Sequence, residues 1–167
     1  MKAIESMWVP GRALRSVCQA VFVSCLALGF SGGCRSFEAV TPAGFVELEE
    51  DDRYDYRATT ADGVVVAVRA LKHEPKGELS FWVAAIEKEL REDNGYALLE
   101  TRDVTTNQGM SGKQLRFGHD EGKTPHLYFV TLFVTDSKLY LLEAGGKKEL
   151  MEQQAVRIDT AIAGFRR

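Results

Sequence analysis

Cysteine is scarce in this chain and confined to one end: the 167 residues contain three, Cys18, Cys25 and Cys34. Beyond residue 34 there is neither a disulfide framework nor a cysteine nucleophile to build on. Proline is limited to 4 residues and histidine to 3, while 45% of the sequence is hydrophobic and 27% charged. That composition excludes a disordered or fibrous chain and describes a globular one. A basic excess is missing too, since the formal net charge is −3. A general nucleic-acid binder needs lysine and arginine to neutralise phosphates, so nucleic acid is not an expected partner. At this length one domain with a full core is expected rather than two.

Long hydrophobic runs are also absent. The longest uncharged apolar stretch, VCQAVFVSCLALGF at residues 17–30, falls short of the roughly 20 residues a membrane-crossing helix needs. Lys2, Arg12 and Arg15 precede it and Ser31-Gly32-Gly33 follow it. Basic residues, an apolar run and then small residues are the three parts of a secretory signal. A retained signal anchor and a buried core helix are the alternatives. The length of the run argues against the first, and its lack of a polar face against the second. Three of 21 basic residues and one of 24 acidic residues, Glu5, precede Cys34, leaving 18 against 23 and a formal charge of −5 for the rest.

Ser31-Gly32-Gly33-Cys34 resembles the lipobox of bacterial lipoproteins, with Ser31 where an aliphatic residue is usual. The resemblance implies diacylglycerol on the Cys34 sulfur, cleavage after Gly33 and an acyl chain such as palmitate on the new amino group. Several acyl chains, each methylene contributing about 0.8 kcal/mol, hold a protein stably at a membrane. Arg35 is not the aspartate that such families use as an inner-membrane retention signal, so the resemblance favours the outer membrane. The expected organisation is a signal peptide at 1–33, a tether at 34–44, where RSFEAVTPAG shows no sustained period, and one domain at 45–167.

Within that domain the hydrophobic period changes repeatedly. Alternation over Phe45-Val46-Glu47-Leu48 and over 54–59 reads as strand, and Asp62-Gly63 before VVVAVR is a tight-turn signal, so a hairpin is expected. In ELSFWVAAIEKELRE (78–92), Leu79, Trp82, Ile86 and Leu90 recur at helical spacing, with Phe81 and Ala85 widening the stripe and Asp93-Asn94-Gly95 closing the helix. Four strands are expected at 97–104, 112–117, 126–135 and 138–144. The third is apolar on both alternating sets, as a strand covered on both faces must be. Residues 147–167 read as an amphipathic helix with Leu150, Val156 or Ala155, Ile158, Ile162 and Phe165 near one side. The fold class is therefore α+β, an antiparallel sheet with helices on both faces.

That element order, together with GYALLE, GMSGKQLRF, YFVTLFV, LYLLEAGG and IDTAIAGF, resembles the PsbP-like fold, which includes the DcrB-like bacterial envelope lipoproteins. The likeness runs from Phe45 to Phe165 and implies an α/β/α sandwich.

Chemistry-bearing residues are few. His119, Asp120, Glu121 and His126 crowd one expected loop and offer nitrogen and oxygen donors for a metal, although their spacing fits none of the tight ligand motifs and turn-forming residues surround them. His73 reads as a loop residue before the first helix. Ser111 lacks the glycine two places on that a nucleophile elbow requires, Lys113 standing there. Gly145-Gly146-Lys147-Lys148 reads as a turn into a helix, where backbone N–H groups can hold an anion, without the spacing of a P-loop. The acidic run over 47–55 follows no calcium-loop order and reads as a solvated turn guarding a strand edge. Trp82 and Phe81 read as core. With no catalytic set and no cofactor motif, the expectation is a non-enzymatic, lipid-anchored envelope protein. It would bind the membrane through its N-terminal lipid and an unidentified envelope protein through its domain. A small-ligand or metal-binding periplasmic module is the alternative.

Overall fold

The computed structural model describes residues 36–49 and 52–167. The chain divides into units at 1–32 and 33–167. The expected signal peptide, Cys34 and the middle of the acidic run lie outside the described residues.

The domain is built on one antiparallel sheet of seven strands: β1 (Val46–Glu47), β2 (Tyr56–Thr59), β3 (Val65–Lys72), β4 (Ala97–Thr105), β5 (Ser111–Glu121), β6 (Thr124–Val134) and β7 (Lys138–Lys147), in the order β1-β2-β3-β7-β6-β5-β4. The β2–β3 hairpin turns at Gly63, whose φ of 90° is a conformation only glycine adopts without strain. The β6–β7 hairpin at the centre has the expected two-sided burial, from Phe129 through Phe133 on β6 and Leu139 through Ala144 on β7.

Strand alternation sorts the sheet into two faces. Tyr56, Val68, Leu142 and Thr131 lie in register on one face, and Arg57, Ala67, Glu143, Val130 and Leu115 on the other. Over the first face lie α2 (Lys148–Gln153) and α3 (Ala155–Gly164), closing a core with Phe129, Phe133, Tyr140, Met151, Ile158, Ile162 and Phe165. Over the second lies α1 (Leu79–Lys88), which continues as a π-helical turn, Glu89–Asp93, and seats Ile86 and Leu90 against β5 and β6. Gly95, at φ 71°, follows it and redirects the chain into β4. Helices thus cover both faces, as the apolar pattern of β6 required.

Several local expectations are revised. Residues 36–44, expected as a tether, lie against the domain. Phe37 is buried between the rings of Tyr140 and Phe165, Glu38 pairs with Arg166 in an isolated β-bridge, and the Tyr56 hydroxyl donates to Thr41 Oγ1 at 2.8 Å. Burial of Phe37 contributes about 1.5–3 kcal/mol to this docking, alongside the buried Pro42 and the backbone bonds between Glu38 and Arg166. Residues 147–167 form two helices broken at Gln154, and Val156 is 79% exposed while Phe165 packs beyond the helix end. Phe81 is 53% exposed, so the apolar stripe of α1 is narrower than its sequence suggested. Gly145 and Gly146 belong to β7 instead of a turn, paired with Tyr128 and Leu127 on β6, and at Gly146 Val64 stands 3.3 Å from where a Cβ would be.

Candidate functional site

The β5–β6 hairpin carries the four residues singled out as metal donors. Its strands run on to Glu121 and Thr124, with the turn at Gly122-Lys123, where Gly122 has φ 66°. The expected exposed hairpin tip is present with a shorter turn than the sequence suggested, and His119 and His126 become direct cross-strand partners, with Asp120 opposite Pro125 and Glu121 opposite Thr124. The His119 ring stacks on Tyr96 at 4.7 Å. His126 holds the Thr124 carbonyl through Nδ1 at 2.9 Å and stands 3.5 Å from Glu121 through Nε2. Because the pleat sends alternate side chains to opposite faces, His119 and Glu121 share a side that Asp120 does not. Among the described residues no group of three or more His, Cys, Asp or Glu side chains converges on a point where a metal ion would sit.

Below this hairpin the same face holds a buried polar set that sequence spacing did not reveal. Arg69 on β3 donates to Glu143 on β7 through Nε at 2.7 Å and forms an ion pair with it through its terminal nitrogen. The Tyr128 hydroxyl also donates to Glu143. Burial pushes the Glu143 carboxyl above the usual carboxylate range, against the opposing pull of Arg69 and the Tyr128 hydroxyl. Burial alone would lower Arg69, yet the field of Glu143 and the nearby tyrosines outweighs it and raises the value, so the guanidinium stays charged. The Tyr128 phenol is pushed well up, first by burial and then by Glu143. Tyr96 lies 5.6 Å from Tyr128 and links this set to His119; burial, then Glu121, raises its phenol as well. Arg57 lies over the Tyr54 ring at 5.8 Å at the outer side of the set. The signal available in sequence was a lone arginine in VVVAVRALK and a lone glutamate in LYLLEAGG, each inside an apolar strand.

A second polar set fastens α3 to the opposite face. Gln114, fully buried, accepts from Arg102 Nε at 2.7 Å and Arg116 Nε at 2.8 Å, and donates to Thr131 at 3.0 Å. Arg102 also bonds Asp159 on α3, while Arg116 reaches Glu100 at 3.2 Å and lies over the Phe129 ring at 4.6 Å. Every charge in this set meets an opposite charge or an amide, which makes it a clamp. The space enclosed between α3 and the sheet is about 30 Å³, roughly the volume of one water molecule and far below the several hundred Å³ of an ordinary ligand pocket.

His73 is more than a loop residue. It is buried, with Nδ1 at 2.7 Å from the Thr135 carbonyl and Nε2 at 2.8 Å from the Gly77 carbonyl and 3.0 Å from the Gly77 N–H. It braces the chain between β3 and α1, its ring edge-on to Trp82 at 6.0 Å. Trp82 is half-buried, and its indole N–H has no hydrogen-bond partner among the described residues. Ser111 opens β5, in an exposed position opposite Thr105. At the same end of the sheet an open cleft of about 700 Å³ lies between the β4–β5 and β6–β7 turns, lined by Ser36, Gln108, Thr135, Lys138, Tyr140 and Arg167 among others.

No family model matches the chain, and no curated protein matches it. Solved structures do. LpqN of Mycobacterium tuberculosis, described as involved in cell envelope biogenesis, superposes with a TM-score of 0.67 at 13% identity, over 78% of this chain and 82% of its own. Cyanobacterial PsbP from Synechocystis sp. PCC 6803 gives a TM-score of 0.57 at 13% identity, over 86% and 97%. The Ran-binding protein Mog1p of Saccharomyces cerevisiae gives 0.52 at 15% identity, over 76% and 83%. At such identities the likeness speaks for architecture. The chain has the α+β fold of PsbP-like proteins and Mog1p.

Proposed function

We propose that this is a lipid-anchored protein of the bacterial cell envelope, non-catalytic, whose domain binds another envelope component. The observation that carries the reading is the join between sequence and fold. An apolar run and small residues lead to Cys34, and two residues on, Ser36 is already bonded to the domain through the Tyr140 hydroxyl. Acylation at Cys34 would then leave a complete PsbP-like domain outside the bilayer, with no further apolar segment to place: among the described residues no helix is long and apolar enough to cross a membrane.

Support for a binding role comes from the polar sets. Arg69, Arg102, Arg116, Glu143 and Asp159 are all engaged with one another or with amides and hydroxyls, leaving no nucleophile and base assembled from them. The likeness to LpqN and to the Ran-binding Mog1p supports the same class of role. The outer membrane is the proposed location, on the residue after Cys34.

Fatty-acid labelling in cells tests the anchor. Wild type should incorporate label and Cys34→Ser should not, and equal labelling of both would end the lipoprotein reading. Crosslinking in native membranes followed by mass spectrometry tests the partner; the same envelope protein should recur, and the absence of any recurrent partner would count against a binding role.

A further inference from the structure

We infer that the end of the sheet carrying the β4–β5 turn, the β6–β7 turn and Arg167 lies directly against phospholipid headgroups, its open cleft receiving anionic phosphate. This rests on the Cys34 anchor proposed above and adds an orientation and a ligand to it.

The argument begins with chain length. The Ser36 carbonyl accepts a hydrogen bond from the Tyr140 hydroxyl at 3.1 Å. Glu38 and Arg166 exchange backbone hydrogen bonds of 2.8 and 3.1 Å, and Phe37 is buried against Tyr140 and Phe165. The chain is thus fixed to the domain from Ser36 onward. Cys34 precedes Ser36 by two residues, and covalent geometry keeps their Cα atoms within about 7 Å. A lipid on Cys34 therefore holds this end at headgroup level, without the length of flexible chain that would let a domain stand away from the surface.

The chemistry of that end suits the contact. The cleft beside Ser36 is lined by Lys138 and Arg167 as its charged side chains, and no aspartate or glutamate lines it. Gln108, Thr135 and Ser137 add further polar groups. Two cations in an open, polar cleft match a phosphodiester. Glu38 adjoins the cleft, 3.6 Å from Arg166. Of the acidic residues between β1 and β2, the described Glu49, Asp52 and Asp55 lie at the sheet edge opposite β4. Repulsion from an anionic surface would lift that edge and press the β4–β5 turn inward.

The test uses the full-length protein purified with its acyl chains and placed in phosphatidylethanolamine vesicles, with or without phosphatidylglycerol, carrying a headgroup quencher. A fluorophore is attached at Gln108→Cys on the β4–β5 turn or at Lys123→Cys on the opposite end, both exposed positions. Quenching should be several-fold stronger at Gln108 than at Lys123 and should rise with phosphatidylglycerol. Lys138→Gln with Arg167→Gln should abolish that rise while an unchanged circular dichroism spectrum shows the fold intact. Equal quenching at the two positions in protein whose acylation is confirmed by mass spectrometry overturns the orientation and leaves the anchor standing. A rise that survives the double substitution overturns the phosphate cleft. Protein without acyl chains overturns anchor and orientation together.

Discussion

The two faces of the sheet use the same pair of chemistries, an arginine and a carboxylate, at very different depths. Under α3 the Arg102–Asp159 pair has side chains 30% and 45% exposed, whereas across the sheet Arg69 and Glu143 are 10% and 5% exposed. Water screens the first pair, so it contributes little beyond its geometry. The second has been taken out of water, and each partner is tolerable only because the other is there. Aromatic rings of Phe37, Phe133, Tyr140 and Phe165 meet on the α3 side, while Leu115, Leu132, Leu139 and Leu141 belong, with Phe117, to the α1 side. A polar group is thus a fastening on one face and a liability held in balance on the other.

The largest expected effect comes from breaking the deep pair. Glu143→Leu leaves Arg69 buried without a counter-charge and should cost about 3–5 kcal/mol in urea unfolding. The double variant Arg69→Met/Glu143→Leu should recover most of that loss; a double variant as unstable as the single would show that desolvation is not what the pair balances. The pH dependence has a definite sign. The Glu143 carboxyl titrates higher in the fold than in the unfolded chain, burial being the main cause. The neutral form is therefore favoured by folding, and the contribution of this group is greatest below the ordinary carboxylate range and lost as pH rises through the raised value. Glu143→Gln should remove that downward slope, seen as a difference between the stability–pH curves of variant and wild type.

Next in size is the docking of the N-terminal segment on the α3 side. Phe37→Ala removes a side chain 5% exposed between two aromatic rings and should cost about 3 kcal/mol. Because this segment holds Ser36 to Tyr140, the variant should also weaken the difference in headgroup quenching between Gln108 and Lys123. The smallest effect belongs to the shallow pair. Asp159→Asn should cost under about 1 kcal/mol, shrinking further in high salt. A loss as large as that of Glu143→Leu would erase the contrast between the faces.

Much of the fold was legible because periodicity reports burial directly. The hairpin at Asp62-Gly63, the helix through Ile86 and Leu90, the four later strands and the two-sided burial of β6 all follow from spacing. Periodicity failed where a residue's partner is remote. Phe37 lies in a stretch with no repeat of its own and is buried by Phe165, at the other end of the domain sequence. Phe81 fits a helical stripe, yet it rests beside Trp82 and stays 53% exposed. The tip of the β5–β6 hairpin read as a longer turn since Gly118, Gly122 and Pro125 are turn formers, but pairing carried the strands past two of them. Of the residues named for chemistry, His119 and His126 do meet across the hairpin, Tyr96 occupying the ring face of the first.

By itself the sequence determined the alternation of strand and helix, the acidic character of the domain and the isolation of its cysteines before residue 35, since these depend on composition and on neighbours a few positions apart. Only the tertiary structure decided that Arg69 faces Glu143, that Gln114 gathers two arginines under α3, and that the chain is fastened to the domain from Ser36. Each of these depends on strand order and register, which bring together residues as far apart as 74 and 104 positions. Local patterns carry no record of such distances, because the free energy that selects them comes from closing the whole sheet.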